Sequence, residues 1–125
     1  MAKLVKMTGD SKPANMTIEM NNNIPIFASI NANIEPRGDE YTWDALVLPE
    51  FALVNIYNAD KPTKYKVLVS HIIKAYYTDG DVTAVLANYM ADPDNAKYKT
   101  EFEELQACRK MAKNLANNIV NTGMF

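Results

Sequence analysis

The chain has 125 residues, of which 48% are hydrophobic and 22% charged, and its formal net charge is −2. This composition is typical of one folded domain with an apolar core, and it argues against disorder and against a strongly basic nucleic-acid-binding protein. The single cysteine, Cys108, excludes an intramolecular disulfide, and no run approaches the roughly 20 apolar residues of a membrane span. Since the first residues do not resemble a signal peptide either, we expect a soluble protein in a reducing compartment.

Strands are predicted in the first half of the chain. Residues 4–7 and 16–20 are short candidates, and the clearest strand is 24–34, where apolar residues alternate with mostly polar ones. A second alternating segment, 40–48, follows the turn-forming residues 35–39, and we expect the two to pair as a hairpin. In segment 40–48, the alternation defines one side that we assign to the core. The residues on that side are Tyr41, Trp43, Ala45 and Val47. Residues 51–57 are apolar and ambiguous, and we favour a strand or an extended segment there.

Three helices are predicted in the second half. From about residue 63 the apolar residues follow helical spacing, and Thr78 with Asp81 forms a capping-box pattern that opens a second helix. The third helix is expected over residues 93–121, with Asp92 as its cap. We expect Phe102 and Leu105 of this helix to pack against the first helix, through Leu68 and Ile72. Cys108 lies on the same apolar stripe, so its thiol should react slowly in the native protein.

Strands first and helices afterwards indicate an α+β fold, a small antiparallel β-sheet packed by three C-terminal α-helices on one face. The whole chain, residues 1–125, is expected to form one domain, with a β-rich part over 1–58 and a three-helix part over 59–125.

Chemical motifs are weak in this sequence. Ser70 and His71 are adjacent on the first helix, where neighbours point about 100° apart, so they cannot form a catalytic pair with each other. A nucleophilic pair of Cys108 with His71 lacks any supporting motif. Residues 92–95 superficially resemble a calcium loop without its later ligands, and residues 37–39 spell Arg-Gly-Asp in a turn. We therefore predict no catalytic, cofactor-binding or metal-binding residues, and a protein that is not an enzyme.

Several groups of residues resemble small uncharacterised proteins encoded by phages and prophages of gut bacteria. The similarity covers about residues 24–113. The residues that carry it are Ile24-Pro25-Ile26-Phe27-Ala28, Tyr41-x-Trp43-Asp44, Leu48-Pro49, Tyr77-Thr78-x-x-Asp81-Val82-x-Ala84-Val85, Asn88-Tyr89-x-x-Asp92-Pro93 and Tyr98-x-x-Glu101-Phe102-x-x-x-Gln106-x-x-Arg109-x-x-Ala112-Lys113. The resemblance implies a genomic context, with a location in the bacterial cytoplasm or the virion. It implies no activity and no site residues.

The expected function is that of a non-enzymatic structural or protein-interaction protein that binds a protein partner or self-associates. The candidate interface is the outer sheet face with an apolar tail, formed by Phe27, Leu46, Leu48, Met124 and Phe125. Alternatively, residues 4–20 or the tail cover this patch within one chain. A second hypothesis is a regulatory adaptor or nucleic-acid accessory protein that uses the basic end of the first helix, Lys61, Lys64 and Lys66. We predict no membrane, no cofactor and no small-molecule substrate.

Overall fold

The fold was examined in a computed structural model that describes residues 3–49, 53 and 56–123. Four strands come first, and they are β1 (Lys3–Gly9), β2 (Met16–Asn21), β3 (Ile24–Arg37) and β4 (Glu40–Val47). Three helices follow, and they are α1 (Lys61–Tyr76), α2 (Asp79–Ala91) and α3 (Ala96–Asn121). The predicted α+β fold, an antiparallel sheet followed by three helices, is confirmed.

The sheet has the strand order β1-β4-β3-β2, and all three pairings are antiparallel. β2 and β3 are joined at Asn22 and Asn23, whose φ angles of 51° and 64° are those of a two-residue hairpin turn of type I′. β3 and β4 form the predicted hairpin, with Gly38 in the left-handed conformation in the turn. β1 then pairs with the outer side of β4, so the first strand of the chain lies at one edge of the sheet.

Each helix begins at a side-chain cap. Asp60 accepts a hydrogen bond from the backbone N–H of Thr63 at the start of α1, and Thr78 with Asp81 forms the predicted capping box of α2. The cap of α3 is Asn95, which accepts from the N–H of Tyr98. The prediction that Asp92 caps the long helix is therefore wrong, because Asp92 instead ends α2.

The core lies between the sheet and two of the helices. Ile30 and Leu46 of the sheet, Leu68 and Ile72 of α1 and the C-terminal half of α3 form one buried cluster. The α3 side of this cluster consists of Ala112, Ala116, Ile119 and Val120.

The expected packing of Phe102 against α1 is wrong. Its ring stacks on Tyr89 of α2, with a centroid distance of 4.1 Å and an interplanar angle of 8°. Leu105 is fully buried but lies outside the cluster that contains Leu68 and Ile72. The helical stripe predicted the burial of Leu105 correctly, but it could not assign a partner to each turn of the helix.

Residues 51–57 were predicted as a strand or extended segment, and they lie partly outside the described residues. Leu53, Ile56 and Tyr57 have helical backbone, and the N–H of Leu53 donates to the carbonyl of Pro49 at 3.1 Å. Leu53 and Ile56 are buried in the core. For the described part of this segment, the strand prediction is therefore wrong.

Among the described helices, none has the length and apolar character that crossing a membrane would require.

Candidate functional site

The sheet face that points away from the helices is the strongest candidate site. The register places Leu4, Leu46 and Ile30 side by side on the helix-covered face. Their neighbours in sequence therefore point to the opposite, open face, because successive side chains of a strand alternate. The open-face side chains surround a shallow hollow of about 230 Å³, and they are Val5, Met7, Thr17, Phe27, Ser29, Asn31, Trp43, Ala45 and Val47.

Apolar side chains form the walls of this hollow. Val5 and Met7 on β1 are 37% and 42% exposed, whereas Phe27, Trp43 and Val47 are half-buried. Among the side chains that the structure describes, none that lines the hollow carries a formal charge. We call this set, Val5, Met7, Phe27, Trp43 and Val47, the sheet-face patch.

The Trp43 ring packs against a glycine, Gly9, on the neighbouring strand. A Cβ atom added at Gly9 would lie 3.0 Å from Cη2 of Trp43, so the indole packs directly over the Gly9 backbone. Any larger residue at this position would push the ring away. The absence of a side chain at Gly9 therefore lets the Trp43 ring form one wall of the hollow.

Polar groups at the floor of the hollow are bonded to one another. Ser29 donates to Oδ1 of Asn31 at 3.1 Å, and Nδ2 of Asn31 donates to the carbonyl of Ala14 at 2.7 Å and to Oγ1 of Thr17 at 3.2 Å. Both amide hydrogens of Asn31 are therefore used within the protein. An apolar occupant loses little by covering this floor, because the buried amide needs no bond from a ligand.

The predicted interface residues are only partly on this face. Leu46 and Leu48 are 0% and 4% exposed and belong to the core, so their placement on an outer face is wrong. Both faces of β4 are apolar, and pairing Ile30 with Leu46 turns Trp43, Ala45 and Val47 outward rather than toward the core. Phe27 does line the open face. Met124 and Phe125 lie outside the described residues.

A buried carboxylate, Asp44, lies between Trp43 and Ala45 in sequence and points to the opposite, helix-covered face. Asp44 is 3% exposed; its Oδ2 accepts from Tyr76 at 2.5 Å and from Asn33 at 2.9 Å, and its Oδ1 forms an ion pair with Lys6. Burial would raise the pKa of Asp44, but the bonds from Lys6, Tyr76 and Asn33 outweigh it and hold the pKa below its usual value. The cluster joins β1, β3, β4 and α1 and is best explained as structural, because every partner is internal.

Cys108 and His71 do not form an activated pair. Burial raises the pKa of the half-buried Cys108 thiol, although Arg109 opposes the effect. Burial and the charge of Lys74 lower the pKa of His71, whose Nδ1 has no hydrogen-bond partner among the described residues. Among the described residues, no hydrogen bond joins the Cys108 thiol to the His71 imidazole, so neither residue is placed to activate the other. Slow reaction of Cys108 with thiol reagents stays a prediction.

Metal binding has no visible basis in the part of the chain that the structure describes. No three side chains of His, Cys, Asp or Glu there come together in a way that could hold an ion. The aspartates that superficially resembled a calcium loop lie in the α2–α3 connection, where Asp92 ends one helix and Asn95 begins the next.

Comparison with known proteins adds no constraint on the site. No family model, no curated protein sequence and no solved structure matches this chain. The proposals below therefore stand on the geometry of the chain itself.

Sequence reasoning identified Phe27 but missed Val5, Met7 and Trp43. The signal that was missed is the second apolar face of β4. A strand that is apolar on both faces is expected to have both faces covered, either by its own chain or by a partner.

Proposed function

We propose that this chain is a non-enzymatic interaction protein that binds a protein partner, or a second copy of itself, through the sheet-face patch. The resemblance to phage and prophage proteins adds a phage-encoded, virion-associated setting to the proposal. The observation that supports it is an apolar hollow, with Trp43 in its wall, on a sheet face that no described helix covers. Exposed apolar surface that includes aromatic side chains is typical of a binding hot spot.

The dimensions of the hollow favour a side chain over a free small molecule. Pockets for small ligands typically occupy about 300–1,000 Å³ and bury most of the ligand, whereas this hollow of about 230 Å³ is smaller and shallow. An apolar side chain of a partner would contact Trp43 and Phe27 there and displace water from the patch.

The position of β1 supports a protein partner. β1 is the terminal strand of the sheet, and it contributes Val5 and Met7, the most exposed members of the patch. An edge strand presents unpaired backbone groups that an extended segment can join. A partner at this edge could therefore form backbone hydrogen bonds and insert side chains into the hollow.

The test compares two exposed methionines. A photo-reactive amino acid replaces Met7 in one variant and Met90, which is 81% exposed on α2, in the other, and both proteins are expressed in the native host. We expect a discrete cross-linked product from position 7 and none from position 90. Equal cross-linking from both positions, or none from either, would contradict the proposal.

A second measurement uses the purified protein. Val5→Ser with Met7→Ser should weaken self-association, or capture of the partner found by cross-linking, by about tenfold or more, since hot-spot truncations cost at least about 2 kcal/mol. The matched control is Met90→Ser, which should change neither self-association nor capture of the partner. Circular dichroism should be the same for all three proteins, because the replaced side chains are exposed.

The nucleic-acid hypothesis for the basic end of α1 stays a prediction. Lys61 and Lys66 are exposed there, and the Lys64 ammonium lies 5.8 Å from the centroid of the Tyr57 ring. The oligonucleotide titration described below tests it.

A further inference from the structure

A second hollow lies where the three helices meet, away from the sheet-face patch. Its volume is about 460 Å³, and residues of α1, α2 and α3 all contribute to its lining. The polar side chains of its lining are Lys66, Ser70, Lys74, Asp79, Thr83 and Arg109. We call these residues the helix-junction site.

The cations reach this hollow from two helices. Lys66, Ser70 and Lys74 are spaced four residues apart on α1, which puts them on one face of the helix. Arg109 approaches from the middle of α3 and is half-buried. Thr83 adds a hydroxyl from α2, although its proton is donated to the carbonyl of Asp79 at 2.9 Å.

The described residues balance the positive charge of the site only in part. Within the described part of the chain, carboxylates pair with Lys6 and Lys97, and no ion pair involves Lys66, Lys74 or Arg109. Asp79 is the one acidic residue in the lining, so three cationic side chains face one carboxylate. The five N–H donors of Arg109 have no protein acceptor among the described residues.

A half-buried arginine with free donors is suited to a phosphate group. The planar guanidinium binds two phosphate oxygens at once, and lysines add point charges to the same anion. Apolar side chains such as Val82 complete the wall, and the volume lies within the range of about 300–1,000 Å³ that is usual for small-molecule sites. We propose that the helix-junction site binds the phosphate group of a small phosphorylated organic molecule.

A nucleic acid fits these features less well. A protein that follows a phosphate backbone needs basic residues along an extended stripe, so that several phosphates are contacted in succession. Here the three cations surround one hollow, and the net charge of the whole chain is −2. The geometry therefore favours one phosphate group over a series of them.

The test is a titration of the full chain with AMP, ribose 5-phosphate, inorganic phosphate and a short oligothymidylate, followed by calorimetry and amide NMR. We expect saturable binding of at least one of the two phosphorylated organic molecules, competition by inorganic phosphate, and shifts of the amides of Ser70, Thr83 and Arg109. Arg109→Gln should weaken binding by about tenfold or more, because a bond to a charged group is lost. The matched control is Lys110→Gln, an exposed neighbour outside the site, which should bind as the wild type does.

Loss of fold can be separated from loss of binding. Lys66 and Lys74 are exposed, so a Lys66→Gln/Lys74→Gln variant should keep the wild-type thermal midpoint and still bind the phosphorylated molecule more weakly. The proposal would be overturned by the absence of saturable binding of both AMP and ribose 5-phosphate, or by wild-type affinity in both variants. Tighter binding of the oligothymidylate with a steep salt dependence would overturn it in favour of a nucleic-acid site.

Discussion

At the scale of single residues, Asp44 shows how a buried charge can join separate elements. Three donors from three different elements surround its carboxylate, so its negative charge is compensated at each oxygen. Such an arrangement is costly to disturb, because removing the charge leaves Lys6 without its counter-ion and takes one of the two acceptor oxygens from the donors.

Asp44→Asn should lower the free energy of unfolding at neutral pH by about 1–3 kcal/mol. The folded-state pKa of Asp44 lies below the usual value of 3.8, so its charge stabilises the fold above the unfolded-state pKa, and this stability is lost as pH falls through the folded-state pKa. The difference between wild type and variant should therefore shrink below about pH 4. Urea denaturation at neutral and acidic pH measures the difference in unfolding free energy between wild type and variant. The control is Asp94→Asn, a substitution in an exposed loop. A difference that is constant with pH would contradict the assigned role.

At the scale of elements, β3 contains a bulge that directs a side chain to this cluster. The register with β4 shifts between Ala32 and Glu35, and Asn33 has a positive φ of 52°. Asn33 thereby donates hydrogen bonds to Asp44 and, at 3.0 Å, to Tyr76. Asparagine suits this position because it tolerates the left-handed conformation and also supplies the donor.

Two substitutions at Asn33 should separate its backbone role from its side-chain role. Asn33→Gly removes the hydrogen bonds and keeps the backbone conformation, whereas Asn33→Ala removes the bonds and adds about 1–2 kcal/mol of backbone strain. We expect alanine to be the more destabilising of the two in chemical denaturation. Equal stabilities would show that the bulge relaxes without cost.

Local signals account for the elements that could be predicted from the sequence. The Thr78–Asp81 capping box, the alternation in β3 and the stripe of α3 each act within a few residues, and each predicted an element that the structure contains. The predicted start of α3 differs from the observed one, because Asp92 and Asn95 can both cap a helix. Only the folded chain selects between them.

At the scale of the whole molecule, α3 packs closely because its inner face carries small residues. Ala112 and Ala116 are completely buried against the cluster that joins the sheet to α1. Interiors this densely packed accept little added volume.

Ala112→Leu should therefore destabilise the protein by about 1–3 kcal/mol, because the added atoms must displace α3 from its neighbours. Ala107→Leu makes the same change at an exposed position of the same helix and should be nearly neutral. Thermal unfolding of both variants checks the comparison. A destabilising effect at position 107 as large as that at 112 would contradict the close packing of α3.

The candidate sites depend on long-range pairing, which explains why sequence reasoning reached them only in part. Which face of β4 meets the helices is decided by its pairing with β1 and β3, and Leu46 and Trp43 are equally suitable for burial when considered locally. Likewise, Lys66 and Arg109 are distant in sequence, and only the crossing of α1 and α3 brings them into one hollow.

The position of β1 also has a consequence for biosynthesis. β1 is made first, yet its partner in the sheet is β4, the last strand of the four, and the β2–β3 hairpin is made between them. At about 5–20 residues per second, a ribosome leaves β1 without its partner for seconds. During that interval β2 and β3 can pair through their two-residue turn. Once β4 is made, it reaches β3 through another short turn, whereas β1 must close a long loop before it can dock on β4. Val5 and Met7 therefore join the sheet-face patch last, so a nascent chain should complete this patch only after β2, β3 and β4 have paired.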